Sequence, residues 1–340
     1  MNSLFALSRK DYEDLIRETA RLMGVQEGIV EKDIWVCVGL DRIFRSSEYG
    51  PHFIFKGGTS LSKVHKVIDR FSEDVDLILN WEILGYGSER TQPWDDTRSN
   101  TQQDKLNKRM NAETAEFLRT YFVPWLRTEL SGLGDRAPTV AHDRDQGVLI
   151  QYEPLFELSY IQSHVLLEIG PLASWVPHEA AVSRPYVAEY FPSAVGNIQV
   201  PVTVSTFERT FWEKATILHE QYHNPRTPAR RYSRHYYDLY MMMQRGTADR
   251  AIRDTALLEE VARFKQRFYY SKHSRYDLAQ PGTLRLVPSD EKASALRKDY
   301  DDMQVMFFGT APQWDHVLAE LLRLEKRIND EGHSHDGARH

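Results

Sequence analysis

The period of the apolar positions changes several times along the chain, and each change marks a predicted element. Residues 8 to 45 read as two helices, Asp11 to Met23 and Gly28 to Phe44, the second with Ile29, Ile34, Val36, Cys37, Leu40 and Ile43 on its apolar face. Phe53 to Phe55 is a short apolar run of strand character, broken by Gly57 and Gly58. Thr59 then opens a segment with Leu61, Val64, Val67 and Ile68 at helical spacing. Asp74 to Leu79 reads as a second strand, Gly85 to Thr101 as a polar loop, and Gln103 to Leu130 as a long helix with a kink expected at Pro124. From Thr139 to Val204 the period falls to two, with strands expected at 148–152, 164–169 and 198–202. Helix returns from Val204 to Tyr222, capped by Ser205 or Thr206, again from Arg234, and over Arg250 to Glu331 with a break at Pro281 and Gly282. The fold class is therefore α+β, a sheet flanked by helices and followed by a helical C-terminal domain. The expected boundaries are 1–204, 205–331 and a disordered tail at 332–340.

The chemistry concentrates in residues 53 to 79. Side chains alternate across a strand, so Asp74 and Asp76 project to one face while Val75 and Leu77 project to the other. Two carboxylates side by side repel, and a divalent metal is the simplest group to offset that cost. Magnesium takes oxygen ligands, normally one or two carboxylates plus the phosphates of a substrate. The glycine turn supplies the complementary half, because backbone N–H groups favour anions and missing Cβ atoms let a phosphate approach. Strand, glycine turn, helix and acidic strand together describe a metal–triphosphate site.

Composition narrows the class without deciding it. With 340 residues the chain is long enough for two domains, and 41% hydrophobic content is ordinary for a soluble protein. A single cysteine, Cys37, excludes an intramolecular disulfide and fits a reducing compartment. The N-terminus lacks the pattern of a signal peptide and no apolar run approaches a membrane span, so a cytoplasmic protein with no membrane partner is expected. A net charge of -6 argues against coating nucleic acid through global charge and leaves room for a local basic groove.

Gly57-Gly58-Thr59-Ser60, the following helix, and Arg70-Phe71-Ser72-Glu73-Asp74-Val75-Asp76 resemble the signature of polymerase-beta-type nucleotidyltransferases. More narrowly they resemble the AbiEii/AbiGii toxins of type IV toxin–antitoxin and abortive-infection systems, which read GGT-x-L-x-K followed by R-x-S-x-D-x-D. The resemblance implies a mixed sheet of the polymerase-beta type. It also implies transfer of a nucleoside monophosphate from a nucleoside triphosphate (NTP) to an acceptor hydroxyl, with magnesium (or manganese) as cofactor. The acceptor it implies is RNA such as the 3' end of tRNA, the effect is growth inhibition or a block to phage, and a separately encoded antitoxin is the partner. Small-molecule or protein nucleotidyl transfer, γ-phosphoryl transfer from the same triphosphate, and a non-catalytic binding module remain rival classes.

Under this resemblance Asp74, Asp76 and Glu168 are the catalytic metal ligands, Glu168 being the acidic residue of an otherwise apolar strand; an edge-strand carboxylate facing water is the competing account. Gly57, Gly58, Thr59 and Ser60 are expected to cradle the phosphates, with Lys63, Arg70 and Ser72 nearby, although Lys63 reads equally as a solvated helix residue. Lys214 shares the buried side of its helix with Phe211 and Leu218, so it either snorkels to the edge or meets an anion. The resemblance makes it a catalytic clamp on the triphosphate, and Asp238, from the family's R-x-x-x-D-L segment, completes the site. An intrahelical Arg234–Asp238 ion pair is the alternative there. Glu31-Lys32-Asp33 reads as a solvated charge cluster, while the resemblance gives it a supporting role. Arg230, Arg231, Arg234, Arg263, Lys265 and Arg267 are the candidate RNA-binding residues. The last three lie in a basic–aromatic run that also suits an ordinary amphipathic helix.

Overall fold

The five runs predicted as strands form the middle of a seven-stranded sheet in a computed structural model that describes residues 1–88, 90–157, 162–246 and 248–336. The strands are β1 (Phe53–Lys56), β2 (Val75–Leu79), β3 (Thr139–His142), β4 (Gly147–Gln151), β5 (His164–Gly170), β6 (His178–Ser183) and β7 (Val200–Ser205), in the order β3-β4-β5-β2-β1-β7-β6. The β2–β5 and β1–β7 pairs are parallel and the other four antiparallel, so the sheet is mixed. The helices are α1 (Asn2–Phe5), α2 (Arg9–Met23), α3 (Glu27–Arg45), α4 (Gly57–Lys63), α5 (Asn100–Phe117), α6 (Val123–Ser131), α7 (Tyr186–Tyr190) and α8 (Pro192–Val195), then α9 (Phe207–His223), α10 (Arg234–Gln244), α11 (Ala248–Arg253), α12 (Thr255–Phe268), α13 (Asp290–Asp302) and α14 (Trp314–Asp336).

The chain divides into two units: Met1–Lys66, Phe71–Thr97 and Asp104–Ser205 in the first, Val67–Arg70, Arg98–Gln103 and Thr206–His340 in the second. The first holds the sheet, covered by α3, which packs on β5 and β7. Helix α3 is buried nearly all round, charged residues included, and Val30, Ile34, Cys37, Val38 and Leu40 are fully buried in the core with Phe53, Phe55, Val75 and Leu167. The second unit is helical. Its α9 begins at the Thr206 cap, whose side chain accepts from the Arg209 N–H, and Trp212 is fully buried, donating to the Ala251 carbonyl at 3.1 Å.

Several elements differ from the sequence reading. Helix α4 stops at Lys63 instead of running to Ile68, because Lys66 adopts a left-handed φ of 52° that a helix cannot continue through. The kink at Pro124 is spread over a π-helical turn, Leu118–Phe122, just ahead of α6. A proline ring crowds the carbonyl four residues back, and the wider turn relieves it. Asp74 lies just outside β2, which begins at Val75. Strand β6 has no alternation to predict it from, since an edge strand of this composition is exposed along most of its length. Helix α14 runs past Gly332 to Asp336, where a disordered tail was expected, and residues 337–340 lie outside the described ones.

Candidate active site

In the first unit Asp76 is the second residue of β2. Its partner on β1 is Lys56 and its partner on the parallel β5 is Glu168, so one rung of the sheet reads Lys56, Asp76, Glu168. Paired residues of adjacent strands share a face, with strands about 4.8 Å apart. The edge-strand account of Glu168 does not hold, because β5 lies between β4 and β2, while the Glu168 side chain itself is exposed. Lys56 is a neighbour that local sequence pattern could not have paired with Asp76.

Gly57 is shaped around the same carboxylate. It sits at φ +79°, and a Cβ there would lie 1.9 Å from Asp76 Oδ2. The two hydroxyls expected to cradle phosphates are instead turned inward. Thr59 is 1% exposed and its Oγ1 donates to the Asp74 carbonyl, with Ser72 O at 3.4 Å; Ser60 is fully buried and donates to Gly57 O at 2.9 Å. Thr59 ties the glycine turn to the acidic segment and Ser60 closes the turn on itself, which leaves backbone groups of the turn to meet an anion. Ser72 is half-buried and precedes β2.

Lys63 is 3% exposed, 2.5 Å from Asp33 and 3.8 Å from the centre of the Tyr186 ring. Its charge is met inside the unit, which corrects the reading of a solvated helix residue. Glu31, Lys32 and Asp33 are likewise buried, at 2%, 1% and 2% exposure, so the solvated-cluster reading is corrected as well. Burial raises the carboxyl of Glu31 to about 7, against the pull of hydrogen bonds from the Leu155 and Phe156 N–H groups. Among the described residues no three His, Cys, Asp or Glu side chains converge to hold a metal unaided. The hard oxygen donors of Asp74, Asp76 and Glu168, with Gly57 leaving room for the Asp76 carboxylate, fit magnesium or manganese completed by phosphate oxygens. The cavity of about 350 Å³ among Arg9, Tyr12, Glu31, Trp35 and Arg136 contains none of these carboxylates.

In the second unit Arg70 grips Asp238 with both arms of its guanidinium, Nε to Oδ1 at 2.7 Å and Nη2 to Oδ2 at 2.8 Å. Lys214 Nζ reaches the same Oδ2 at 2.8 Å and His235 Nδ1 at 3.3 Å. Asp238 therefore pairs with Arg70 and Lys214, from distant parts of the sequence, where an intrahelical pair with Arg234 was the alternative. Burial alone would raise the Asp238 carboxyl, but the two cations hold it well below the usual carboxylate range. Burial, with the Arg70 charge, lowers the Lys214 ammonium, and burial keeps His235 neutral, an acceptor toward Lys214. His235 was not singled out from sequence.

Of the basic candidates, Arg230 and Arg263 are exposed and Arg231 and Arg234 half-buried. Lys265 donates to the Glu213 carbonyl at 2.9 Å and Arg267 to the Arg98 carbonyl at 2.6 Å. Phe264 and Phe268 are buried, so the amphipathic-helix account holds for the aromatics of α12, whereas Tyr269 and Tyr270 beyond it are each 49% exposed.

No curated protein matches the chain. Among solved structures it is similar to MenT4, a nucleotidyltransferase toxin from Mycobacterium tuberculosis H37Rv, at 16% identity and a TM-score of 0.53 over 93% of this chain and 89% of that one. A structure described as a putative nucleotidyltransferase from H. pylori aligns at 13% identity and a TM-score of 0.41, over 89% of this chain and 94% of that one. The first likeness bears on the fold, a mixed sheet with flanking helices. The family model described as nucleotidyl transferase AbiEii toxin, type IV TA system, matches residues 40–320, which include the glycine turn, the acidic strand, Glu168, Lys214 and Asp238. The chain belongs to the AbiEii family of nucleotidyltransferase toxins.

Proposed function

We propose that this toxin transfers a nucleoside monophosphate from an NTP to a hydroxyl of RNA, of which the 3' end of tRNA is the leading candidate, in the cytoplasm. The observation that carries the reading is the rung that sets Asp76 beside Glu168, with Gly57 shaped to the Asp76 carboxylate. Asp74, Asp76 and Glu168 would hold a divalent cation, magnesium or manganese. When bound, such an ion neutralises charge on the reacting phosphates and lowers the pKa of an attacking hydroxyl. The backbone at Gly57 and Gly58 receives the triphosphate, Gly57 carrying no side chain that would displace the Asp76 carboxylate. Thr59 braces that turn against the acidic segment. Lys214, held by Asp238 and His235, is the cationic clamp on the triphosphate, and Asp238, neutralised by Arg70, fixes its direction. Arg230, Arg231, Arg234 and Arg263 are the residues for RNA phosphates, while Lys265 and Arg267 support the helices. A separately encoded antitoxin is the partner that family membership implies.

The test is incubation of the full chain and magnesium with each of the four α-labelled NTPs and total RNA, beside Asp76→Ala. Label entering a discrete RNA band with the native chain, and reduced by several orders of magnitude in the variant, is the expected result. Label on protein or a small molecule would overturn the RNA acceptor, and transfer only from γ-labelled nucleotide would overturn nucleotidyl transfer. The same variant should relieve growth inhibition when expressed.

A further inference from the structure

Consecutive residues of a helix point about 100° apart, so three charged side chains in a row must reach three different surroundings. Glu31, Lys32 and Asp33 do so while buried. Glu31 accepts from the N–H groups of Leu155 and Phe156 at 3.0 and 3.1 Å. Lys32 lies 3.4 Å from Glu73 and donates to the Gln162 carbonyl at 3.2 Å. Asp33 lies 2.5 Å from Lys63 and accepts from the Tyr186 N–H at 2.7 Å. Two of these partners frame the proposed site, since Glu73 directly precedes Asp74 and Lys63 is the last residue of α4, which opens at Gly57.

Stability does not account for this arrangement. Taking charges out of water is expensive, and apolar replacement of a buried ion pair is often neutral or stabilising. What the pairs supply is position: the end of α4 and the lead-in to β2 are each fixed to α3, a helix embedded against the sheet, and Thr59 closes the loop between them by donating to Asp74 O. We propose that Lys32 and Asp33 are positioning residues of the transfer site, acting through Glu73 and Lys63 to set the spacing between the glycine turn and the metal-binding carboxylates. The inference rests on the nucleotidyltransferase reading given above.

The experiment measures kcat and KM for NTP, and the melting temperature, in the full-length chain and in Asp76→Ala, Lys32→Met, Asp33→Asn, Lys63→Arg and the double variant Asp33→Asn/Lys63→Met. The double variant removes both charges and keeps an acceptor for the Tyr186 N–H. It should recover the melting temperature lost in Asp33→Asn yet leave kcat down on the order of tenfold to a hundredfold, the scale of a small misplacement of reacting groups. Lys63→Arg keeps the charge but changes the reach, and should lower kcat measured well below its own melting temperature even if the double variant does not fold. Native kcat in Lys63→Arg, or in a double variant of native stability, overturns the proposal and leaves the pairs a purely structural role. If the native chain transfers no more label than Asp76→Ala, the nucleotidyltransferase reading fails and takes this inference with it. An active native chain with equally active Lys32 and Asp33 variants overturns the inference alone.

Discussion

At Gly57 a single hydrogen in place of a methyl group decides whether the site can form. Alanine there meets two obstacles. The left-handed φ of +79° costs an L-residue about 1 to 2 kcal/mol, and the new Cβ would lie 1.9 Å from Asp76 Oδ2, a distance no contact tolerates. The backbone penalty acts on stability, while the clash acts on the carboxylate that faces Glu168. Gly57→Ala is therefore expected to cut nucleotidyl transfer on the order of a hundredfold while the chain still melts cooperatively, only a few degrees lower. Label incorporation and a thermal melt on the same preparation check it. A variant of native activity would mean that the position of Asp76 is not critical. Glycine at this position is a requirement imposed by a neighbour about twenty residues onward, which the paired glycines of the sequence hint at and the structure identifies.

Among the elements, α3 was legible as a helix and misleading as a surface. Its apolar period gave its limits to within a residue or two, but no sequence pattern reveals that Glu31, Lys32 and Asp33 are buried, because their partners Leu155, Glu73, Lys63 and Tyr186 are 30 to more than 150 positions away. Asp238 posed the same difficulty: Arg234 stood four residues off and offered a local pair, whereas Arg70 is 168 residues distant. The five inner strands were visible as apolar or alternating runs, and the edge strands β3 and β6 were not. The burial of Glu31 has a measurable consequence. Its carboxyl titrates near 4.5 in an unfolded chain and at about 7 in the folded one, so the folded chain keeps a proton that the unfolded chain has released. The contribution to stability therefore falls as pH rises from about 4.5 to about 7 and then levels, by about 3 to 4 kcal/mol in all. Glu31→Gln keeps an acceptor for the two backbone N–H groups and cannot ionise. Its urea midpoint relative to the native chain should rise between pH 5 and pH 7 and stay constant above. Parallel midpoints across that range would show that Glu31 titrates normally.

For the whole molecule, a net charge of -6 means that the proposed RNA acceptor would be met by a local set of cations against an unfavourable average field. The basic residues separate into two groups by where their charge goes. Lys265 and Arg267 donate to backbone carbonyls of Glu213 and Arg98, whereas Arg230 is exposed at the loop before α10. Binding single-stranded RNA through Z cations releases counterions with a slope near -0.7Z in a plot of log affinity against log salt. Replacing Arg230 by glutamine should make that slope shallower by about 0.7, raise KM for RNA at low salt, and leave the melting temperature unchanged. Replacing Arg267 should do the reverse, lowering the melting temperature with the slope intact, because it removes a donor from Arg98 O rather than a contact to phosphate. Titration of RNA binding between 50 and 200 mM salt separates the two. If Arg267 changes the slope and Arg230 does not, the RNA path follows α12 rather than the loop that leads into α10.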